Sequence, residues 1–187
     1  MAARTPSTLL AALVIGGGVA CAVAAPPFDI GQRDPAHLVD ATGDVMDRTS
    51  TFGGGPAVTR LDPDLLAALE KAAADAAGDG IRIDVNSGWR SPEHQAQLLA
   101  DAIDEYGSAE EAARWVATPE TSVHVSGDAV DIGPTEAAAW LAEHGSAYGL
   151  CQVYVNEPWH YELFPEAPDD GCPRRYADPT EDPRMQP

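Results

Sequence analysis

The chain has 187 residues, enough for a single domain with a sizeable hydrophobic core. Its 30 aspartate and glutamate residues outnumber its 11 lysine and arginine residues, so the formal net charge is -19 at pH 7. This balance argues against a nucleic-acid-binding protein, because nucleic-acid phosphates require a basic surface. We interpret the excess as a solvated acidic surface that keeps the protein soluble.

Residues 1–25 differ from the rest of the chain and predict an export signal. Arg4 is the only charged residue among them, and Leu9–Val23 contains only apolar residues and glycine. Small residues at Ala22–Ala24 offer a cleavage site, and the apolar run of about 15 residues is short for a membrane span. The prediction is a secretory signal peptide, and the alternative is a lipoprotein signal with Cys21 lipidated. We therefore expect an exported protein that reaches the membrane only through this signal or a lipid.

Composition divides the remaining chain into three parts. Residues 26–56 carry weak signals and include the linker-like Gly53–Pro56, so an irregular arm is expected. The folded domain is expected over residues 57–176. An irregular tail, rich in proline and aspartate, is expected over residues 177–187.

The cysteines predict one disulfide. The chain has three cysteines, and two remain once Cys21 is removed or lipidated. An even pair in an oxidising compartment implies a bridge between Cys151 and Cys172. Two buried free thiols are the alternative.

Start and stop signals define about four helices. Asp62 suits an N-cap and is followed by Pro63 at the first helical position, and Ser108 with Glu111 forms a capping box. The predicted helices run from Pro63 to Gly78, from Ser91–Pro92 to a stop at Gly107, from Ser108 to about Ala117, and from Pro134–Thr135 to Gly145. Strands are predicted at Ile81–Asn86 and Leu150–Val155.

One segment places His124 seven residues before Asp131, with Gly127 between them. We interpret it as two short extended arms joined at the glycine, which turn the imidazole and the carboxylate toward one point. Period-2 alternation on the second arm directs Val130 and Ile132 to the core. The aspartate is then left facing a cleft.

A second constellation follows at Glu157 and His160. An unbroken strand would point these residues to opposite faces, but Pro158 cannot donate to a strand ladder, and a turn there brings both to one side. With His124 and Asp131, two imidazoles and a carboxylate make three ligands, and a catalytic zinc keeps its fourth position for water. Each residue alone is more often a surface, capping or hydrogen-bonded group. Glu157 either activates the water or orients His160.

Three segments together resemble one known family. The pattern Ser-x-His-x-x-Gly-x-Ala-x-Asp from Ser122, followed by Glu-x-x-His from Glu157, looks like the zinc D-alanyl-D-alanine carboxypeptidases of the VanY kind. The upstream Ser-Gly-Trp-Arg-Ser, with Gln95 five residues after Arg90, resembles that family's other marked segment. The segments occur in the family's order and cover roughly residues 60–162.

The resemblance and the predicted elements both imply an α+β fold. It has about four helices around a small, mainly antiparallel sheet, with zinc in a cleft on the sheet, as in hedgehog/DD-peptidase-like proteins. One Zn²⁺ ion is expected at His124, Asp131 and His160, with Glu157 as the general base. The implied function is that of an exported, monomeric enzyme that removes the terminal D-alanine from peptidoglycan stem peptides or precursors ending in D-Ala-D-Ala.

Further residues are candidates for substrate binding. By resemblance, Arg90 polarises the substrate carbonyl or binds the terminal carboxylate, since its guanidinium fork suits either group. A structural salt bridge is the alternative for this arginine. Ser122 either bonds the substrate or is a turn residue, and Gln95 either contacts the substrate or supports Arg90. This chain differs from the family at Glu162, because relatives often carry a basic residue at that position.

Two other functions stay open. A zinc peptidoglycan endopeptidase on the same fold would differ only in the walls of the cleft. A non-catalytic wall-binding module with a structural zinc would not need Glu157, and this residue is present.

Overall fold

The computed structural model describes residues 52–186. The predicted signal at residues 1–25, with Cys21, and the predicted arm up to residue 51 lie outside the described residues. Within residues 52–186, no helix combines the length and the apolar character needed to cross a bilayer.

Seven α-helices form in the described part of the chain. They are α1 (Pro56–Thr59), α2 (Pro63–Gly78), α3 (Pro92–Tyr106), α4 (Ala109–Ala112), α5 (Val123–Ser126), α6 (Thr135–His144) and α7 (Ala167–Asp170). Asp62 Oδ1 caps α2 by accepting hydrogen bonds from the backbone N–H groups of Asp64 and Leu65. Pro63 follows at the first helical position, as predicted. Gly107, with a φ of 80°, ends α3 in the left-handed region, also as predicted.

The third predicted helix corresponds to α4 and is shorter than expected. It ends at Ala112, whereas the prediction extended to about Ala117. The predicted cap is present, since Ser108 Oγ accepts a backbone hydrogen bond. Beyond α4 the chain turns back, so that Trp115 stacks with Tyr106 and Val116 enters a small hydrophobic cluster against α3. Tertiary packing therefore ends this helix earlier than its propensity would.

The described residues form a four-stranded antiparallel sheet. Its strands are β1 (Asp84–Ser87), β2 (Ala129–Gly133), β3 (Leu150–Gln152) and β4 (His160–Leu163). They pair in the order β1-β2-β4-β3, and Asp131 lies directly opposite His160 on the two central strands. Two strands are shorter than predicted at Ile81–Asn86 and Leu150–Val155. At the first of them, Ile81 closes the end of α2 by donating its N–H to the Ala76 carbonyl.

One face of the sheet packs against α2 and α6 and forms the main core. Val130 and Ile132 of β2 point into it, as their alternation predicts. The largest fully buried side chains of the core include Leu65, Leu69, Ile83, Leu141, Leu150 and Tyr161. Each buried leucine contributes about 1.5–3 kcal/mol to folding. Because side chains alternate along a strand, Asp131 and His160 project from the opposite face of the sheet.

The last part of the described chain returns to the domain. The predicted bridge between Cys151 and Cys172 is present and joins residues 21 positions apart. Residues 178–186, which we call the C-terminal segment, contain two 3₁₀ turns, Pro179–Glu181 and Pro183–Met185. Asp178 and Asp182 of this segment are buried.

The helices and the four-stranded sheet confirm the α+β class and the antiparallel sheet predicted for the chain.

Candidate metal centre and active site

His124 lies on α5, a single helical turn, so the prediction of an extended first arm is wrong. Gly127 ends the turn with a φ of 90°, and the Asp128 N–H donates to the Val123 carbonyl over 2.8 Å. A β carbon at Gly127 would lie 2.4 Å from the Arg60 carbonyl oxygen. Only glycine therefore lets the chain reverse here. The reversal leads into β2 and holds the imidazole over the face of the sheet opposite the main core.

Asp131 and His160 come from neighbouring strands, and Glu157 comes from the loop before β4. The His160 N–H donates to the Glu157 carbonyl over 3.1 Å and closes the turn predicted around Pro158. The turn places Glu157 Oε2 3.8 Å from His160 Nδ1. The structure thus brings the general-base candidate to the same site as the ligand candidates.

Three ligand atoms converge in this site: His124 Nε2, Asp131 Oδ1 and His160 Nδ1. The two nitrogens are 3.2 Å apart, and each lies 3.4 Å from the aspartate oxygen. A tetrahedral zinc with bonds of about 2.0–2.1 Å has edges of about 3.3 Å between its ligands, so the triangle fits this ion. Asp131 Oδ1 is buried and accepts no hydrogen bond from any residue between 52 and 186. A buried carboxylate oxygen that has no hydrogen-bond donor is suited to bind a cation.

Both histidines have their other ring nitrogen held by a partner. His124 Nδ1 donates to the Gly88 carbonyl over 2.9 Å, and His160 Nε2 donates to Glu162 Oε1 over 3.2 Å. These bonds orient the two rings so that His124 Nε2 and His160 Nδ1 face the site, and these are the nitrogens that bind a metal once they carry no proton. Neither partner is predicted from the sequence to belong to the site. Glu162 lies two residues after His160, and strand alternation already places both on one face. The partner of His124 is the backbone carbonyl of Gly88, and every residue type has such a carbonyl, so the sequence does not reveal this contact.

Arg90 orients the third ligand. Its Nη2 donates to Asp131 Oδ2 over 2.6 Å, its Nε to Ser87 Oγ over 2.9 Å, and its Nη1 to Gln95 Oε1 over 3.2 Å. Gln95 Nε2 in turn donates to the Ala117 carbonyl over 2.9 Å. Arg90 is therefore held by its neighbours against the metal-ligand carboxylate, and Gln95 supports the arginine from behind.

Glu157 is buried beside the ligand triangle and is only 6% exposed. Its Oε1 accepts no hydrogen bond from the described part of the chain. Burial raises the pKa of Glu157 to about 8, and the charge of Asp131 adds to this effect, while His160 and Arg90 oppose it. The carboxyl group is thus suited to accept and return a proton near neutral pH.

The surroundings of the ligands favour a positive charge at the centre. Burial opposes protonation of His160, but the neighbouring carboxylates of Asp131 and Glu162 raise its pKa to about 10. Burial also opposes ionisation of Asp131, yet His124, His160 and Arg90 hold its pKa well below the usual range. Burial and Arg90 lower the pKa of His124. An ionised carboxylate, a neutral imidazole and a position that favours a cation together match the needs of a divalent metal.

The ligand atoms face a narrow cavity of about 30 Å³ that Ser122 also lines. Other side chains of its wall are Trp115, Tyr154, Pro179 and Met185. Pro179 and Met185 belong to the C-terminal segment, which no motif in the sequence connects with the site. A second, larger cavity of about 430 Å³ is lined by Asp131 together with Thr135 and Trp159. Asp131 therefore lies between a small chamber at the metal centre and a larger cavity.

Comparison with known proteins matches these features. The family model described as VanY, D-alanyl-D-alanine carboxypeptidase, matches residues 58–166. A D-alanyl-D-alanine carboxypeptidase of Enterococcus faecalis is 33% identical over 127 residues, which are 54% of this chain and 47% of the relative. The chain thus spans about half the length of the curated relative that it matches.

Solved structures share the fold. VanYB in complex with D-alanine-D-alanine has a TM-score of 0.55 at 28% identity, with 67% of this chain and 84% of that chain covered. A mutant VanY D,D-pentapeptidase from a VanB-type vancomycin resistance cassette, in complex with Zn(II), has a TM-score of 0.52 at 30% identity, with 55% and 72% covered. The LD-carboxypeptidase LdcB has a TM-score of 0.52 at 30% identity, with 59% and 70% covered. Since the family model spans more than half of its length, the chain belongs to the VanY family of D-alanyl-D-alanine carboxypeptidases.

Proposed function

We propose that this protein is an exported zinc D-alanyl-D-alanine carboxypeptidase that removes the terminal D-alanine from peptidoglycan stem peptides or their precursors. The observation that carries the proposal is the convergence of His124, Asp131 and His160 on one point beside the buried carboxyl group of Glu157. The relatives' complexes with Zn(II) and with D-alanine-D-alanine support the choice of metal and substrate.

A zinc ion at this triangle would polarise the scissile carbonyl and lower the pKa of the attacking water toward about 7. Glu157 takes the proton of that water and then returns it to the leaving amine of D-alanine. Burial raises the pKa of this carboxyl group and so makes it a stronger base than an exposed glutamate. The narrow chamber excludes most other water from the reacting bond.

Arg90 has a second role in this proposal. A guanidinium carries five N–H donors, and three of its nitrogen atoms already bond to Asp131, Ser87 and Gln95. The remaining N–H groups on Nη1 and Nη2 serve the substrate carbonyl or its terminal carboxylate. Ser122 lines the same cavity and is placed to bond the peptide.

Export rests on other features. The apolar stretch near the start of the chain is typical of a signal, and the Cys151–Cys172 bridge suits an oxidising compartment. We propose that the protein acts as a monomer outside the membrane or at the cell wall, free or anchored through Cys21.

The test measures D-alanine release by the zinc-loaded protein from a pentapeptide ending in D-Ala-D-Ala. Glu157→Gln keeps the size of the side chain but cannot take up a proton, so turnover should fall about 10²–10⁴-fold with zinc content unchanged. Glu143→Gln, at a side chain that is 80% exposed, is the matched control and should keep full turnover. Recovery of Glu157→Gln to the wild-type rate at saturating zinc would make Glu157 an orienting partner of His160 and overturn the general-base role.

Two further substrates separate the alternatives by mass spectrometry. Loss of one alanine from the pentapeptide alone supports the proposal. Cleavage of the L,D bond in a tetrapeptide would indicate the activity named for LdcB, and cleavage of cross-linked dimers would indicate an endopeptidase. Binding to the wall without any product from zinc-replete protein would indicate a non-catalytic module.

A further inference from the structure

The C-terminal segment reaches the metal centre through a pair of charged residues. Arg184 Nη1 donates to Glu162 Oε2 over 2.6 Å, and Arg184 Nη2 donates to Glu162 Oε1 over 3.1 Å. Two parallel bonds of this kind fix the plane of a carboxylate. The same Oε1 accepts the hydrogen bond of His160 Nε2. The guanidinium therefore sets the oxygen against which the ligand imidazole is oriented.

Asp182 provides a second connection to the same histidine. Its carboxylate is fully buried and accepts from Arg184 Nη2 over 2.6 Å and from Tyr154 Oη over 3.0 Å. The ring of Tyr154 lies against the ring of His160, with the centroids 5.1 Å apart. His160 is thus contacted at Nε2 by Glu162 and along its ring by the tilted ring of Tyr154. Both contacts lead back to one pair of residues in the C-terminal segment.

The charges show what Arg184 supplies. Glu162 and Asp182 are both buried carboxylates. Among residues 52–186, the ion pairs of Asp182 run to Arg184, and those of Glu162 run to Arg184 and His160. Buried carboxylates that lose their cation repel each other and seek solvent. Removing the guanidinium therefore releases Glu162 from the position in which it bonds His160.

We propose that Arg184 and Glu162 are positioning residues of the metal centre, through which the C-terminal segment orients His160 so that Nδ1 meets the metal. Pro179 and Met185 of the segment also line the cavity, so the segment is part of the site in space as well. The inference rests on the metal site of the proposed function, but not on the identity of the substrate.

Zinc affinity, measured by competition with a chromogenic chelator, tests this proposal. Arg184→Ala and Glu162→Ala should each weaken zinc binding about 10–100-fold, the usual cost of losing an outer partner of a ligand. Glu162→Gln keeps an oxygen that accepts from His160 Nε2 and should recover much of the loss. The double alanine variant should lose less binding free energy than the sum of the two single losses, because the contact between Arg184 and Glu162 is common to both. Arg174→Ala, at an exposed arginine near the segment, is the control and should bind zinc as the wild type does.

A second readout is the visible spectrum of the cobalt(II)-substituted protein, which reports the geometry of the ligands. Arg184→Ala at saturating cobalt should shift the absorption bands, whereas Arg174→Ala should not. Thermal unfolding of each apoprotein establishes whether the variants are folded. If an alanine variant does not fold, the isosteric Glu162→Gln takes its place in the comparison.

Equal zinc affinities and equal cobalt spectra in Arg184→Ala, Glu162→Ala and Arg174→Ala would overturn the proposal. Zinc binding that depends on Arg184, in a wild type that releases no D-alanine, would overturn the proposed function and support this inference. A wild type that binds no zinc would overturn both.

Discussion

Arg90 Nη2 lies 2.6 Å from Asp131 Oδ2, although the two residues are 41 positions apart in the chain. Both side chains are almost completely buried. Because the guanidinium occupies one carboxylate oxygen, the other is directed to the point where His124 and His160 converge. An arginine in a candidate substrate-binding segment thus acts on the metal centre itself.

Replacing this arginine should weaken the metal site. Arg90→Lys loses the fixed fork that bonds Asp131, Ser87 and Gln95 together, so zinc affinity should fall about 10–100-fold. Any loss in kcat/KM that remains at saturating zinc then measures the contact with substrate. Arg82→Lys, at a side chain that is 65% exposed, should change neither quantity. Unchanged zinc affinity in Arg90→Lys would show that this contact does not orient the ligand.

Zinc binding at pH 7 should release about one to two protons. In the apoprotein the pKa of His160 is about 10 and that of Glu157 about 8, so both groups carry a proton at pH 7. His160 must lose its Nδ1 proton to bind the metal, and the nearby dication lowers the pKa of Glu157. Zinc affinity should therefore rise with pH, and more steeply below the pKa of Glu157 than above it.

Calorimetry in buffers with different ionisation enthalpies counts these protons. Glu157→Gln removes one of the two groups, so this variant should release about one proton fewer than the wild type. The same proton release in both proteins would contradict the assignment of the second proton to Glu157.

Gly127→Ala should damage both stability and the metal site. Its positive φ costs about 1–2 kcal/mol in any residue with a β carbon, and the added carbon would also meet the Arg60 carbonyl at 2.4 Å. Gly107→Ala is a matched control, because φ there is 80° but nothing lies within 4 Å of the added carbon. Urea unfolding should show the larger loss for Gly127→Ala, and only that variant should lose zinc affinity. Equal losses would show that the close approach to Arg60 has no consequence.

The disulfide should contribute to stability. A loop closed over 21 positions, as between Cys151 and Cys172, predicts about 3 kcal/mol from the entropy of the unfolded chain. Replacing both cysteines by alanine should lower the free energy of unfolding by that amount. Intact mass before and after reduction confirms the bond in exported protein, and two alkylatable thiols without reductant would rule it out.

Local signals in the sequence predicted much of this structure. The cap at Asp62 and the stop at Gly107 act within one helical turn, so a single stretch of sequence is enough to find them. Val130 and Ile132 followed simple alternation. The candidate metal ligands were predicted because their residue types and spacing occur together, although each one alone would be a weak signal.

Other features depend on parts of the chain that meet only after folding. Residues 122–126 alternate between polar and apolar types, which is typical of a strand, yet they form the helical turn of α5. The reversal at Gly127 against Arg60 decides this, and no local pattern shows it. Arg184 and Glu162 lie 22 positions apart, and their contact likewise has no short-range signature.

The pairing of Asp131 with His160 across β2 and β4 makes the metal a reporter of correct assembly. A slip of either strand by one residue would turn its ligand toward the hydrophobic side of the sheet, while the ligand on the other strand kept its position. Molecules with the wrong strand alignment would then be unable to retain zinc, however compact they were. Metal content in a purified sample would therefore count the molecules that reached the native alignment.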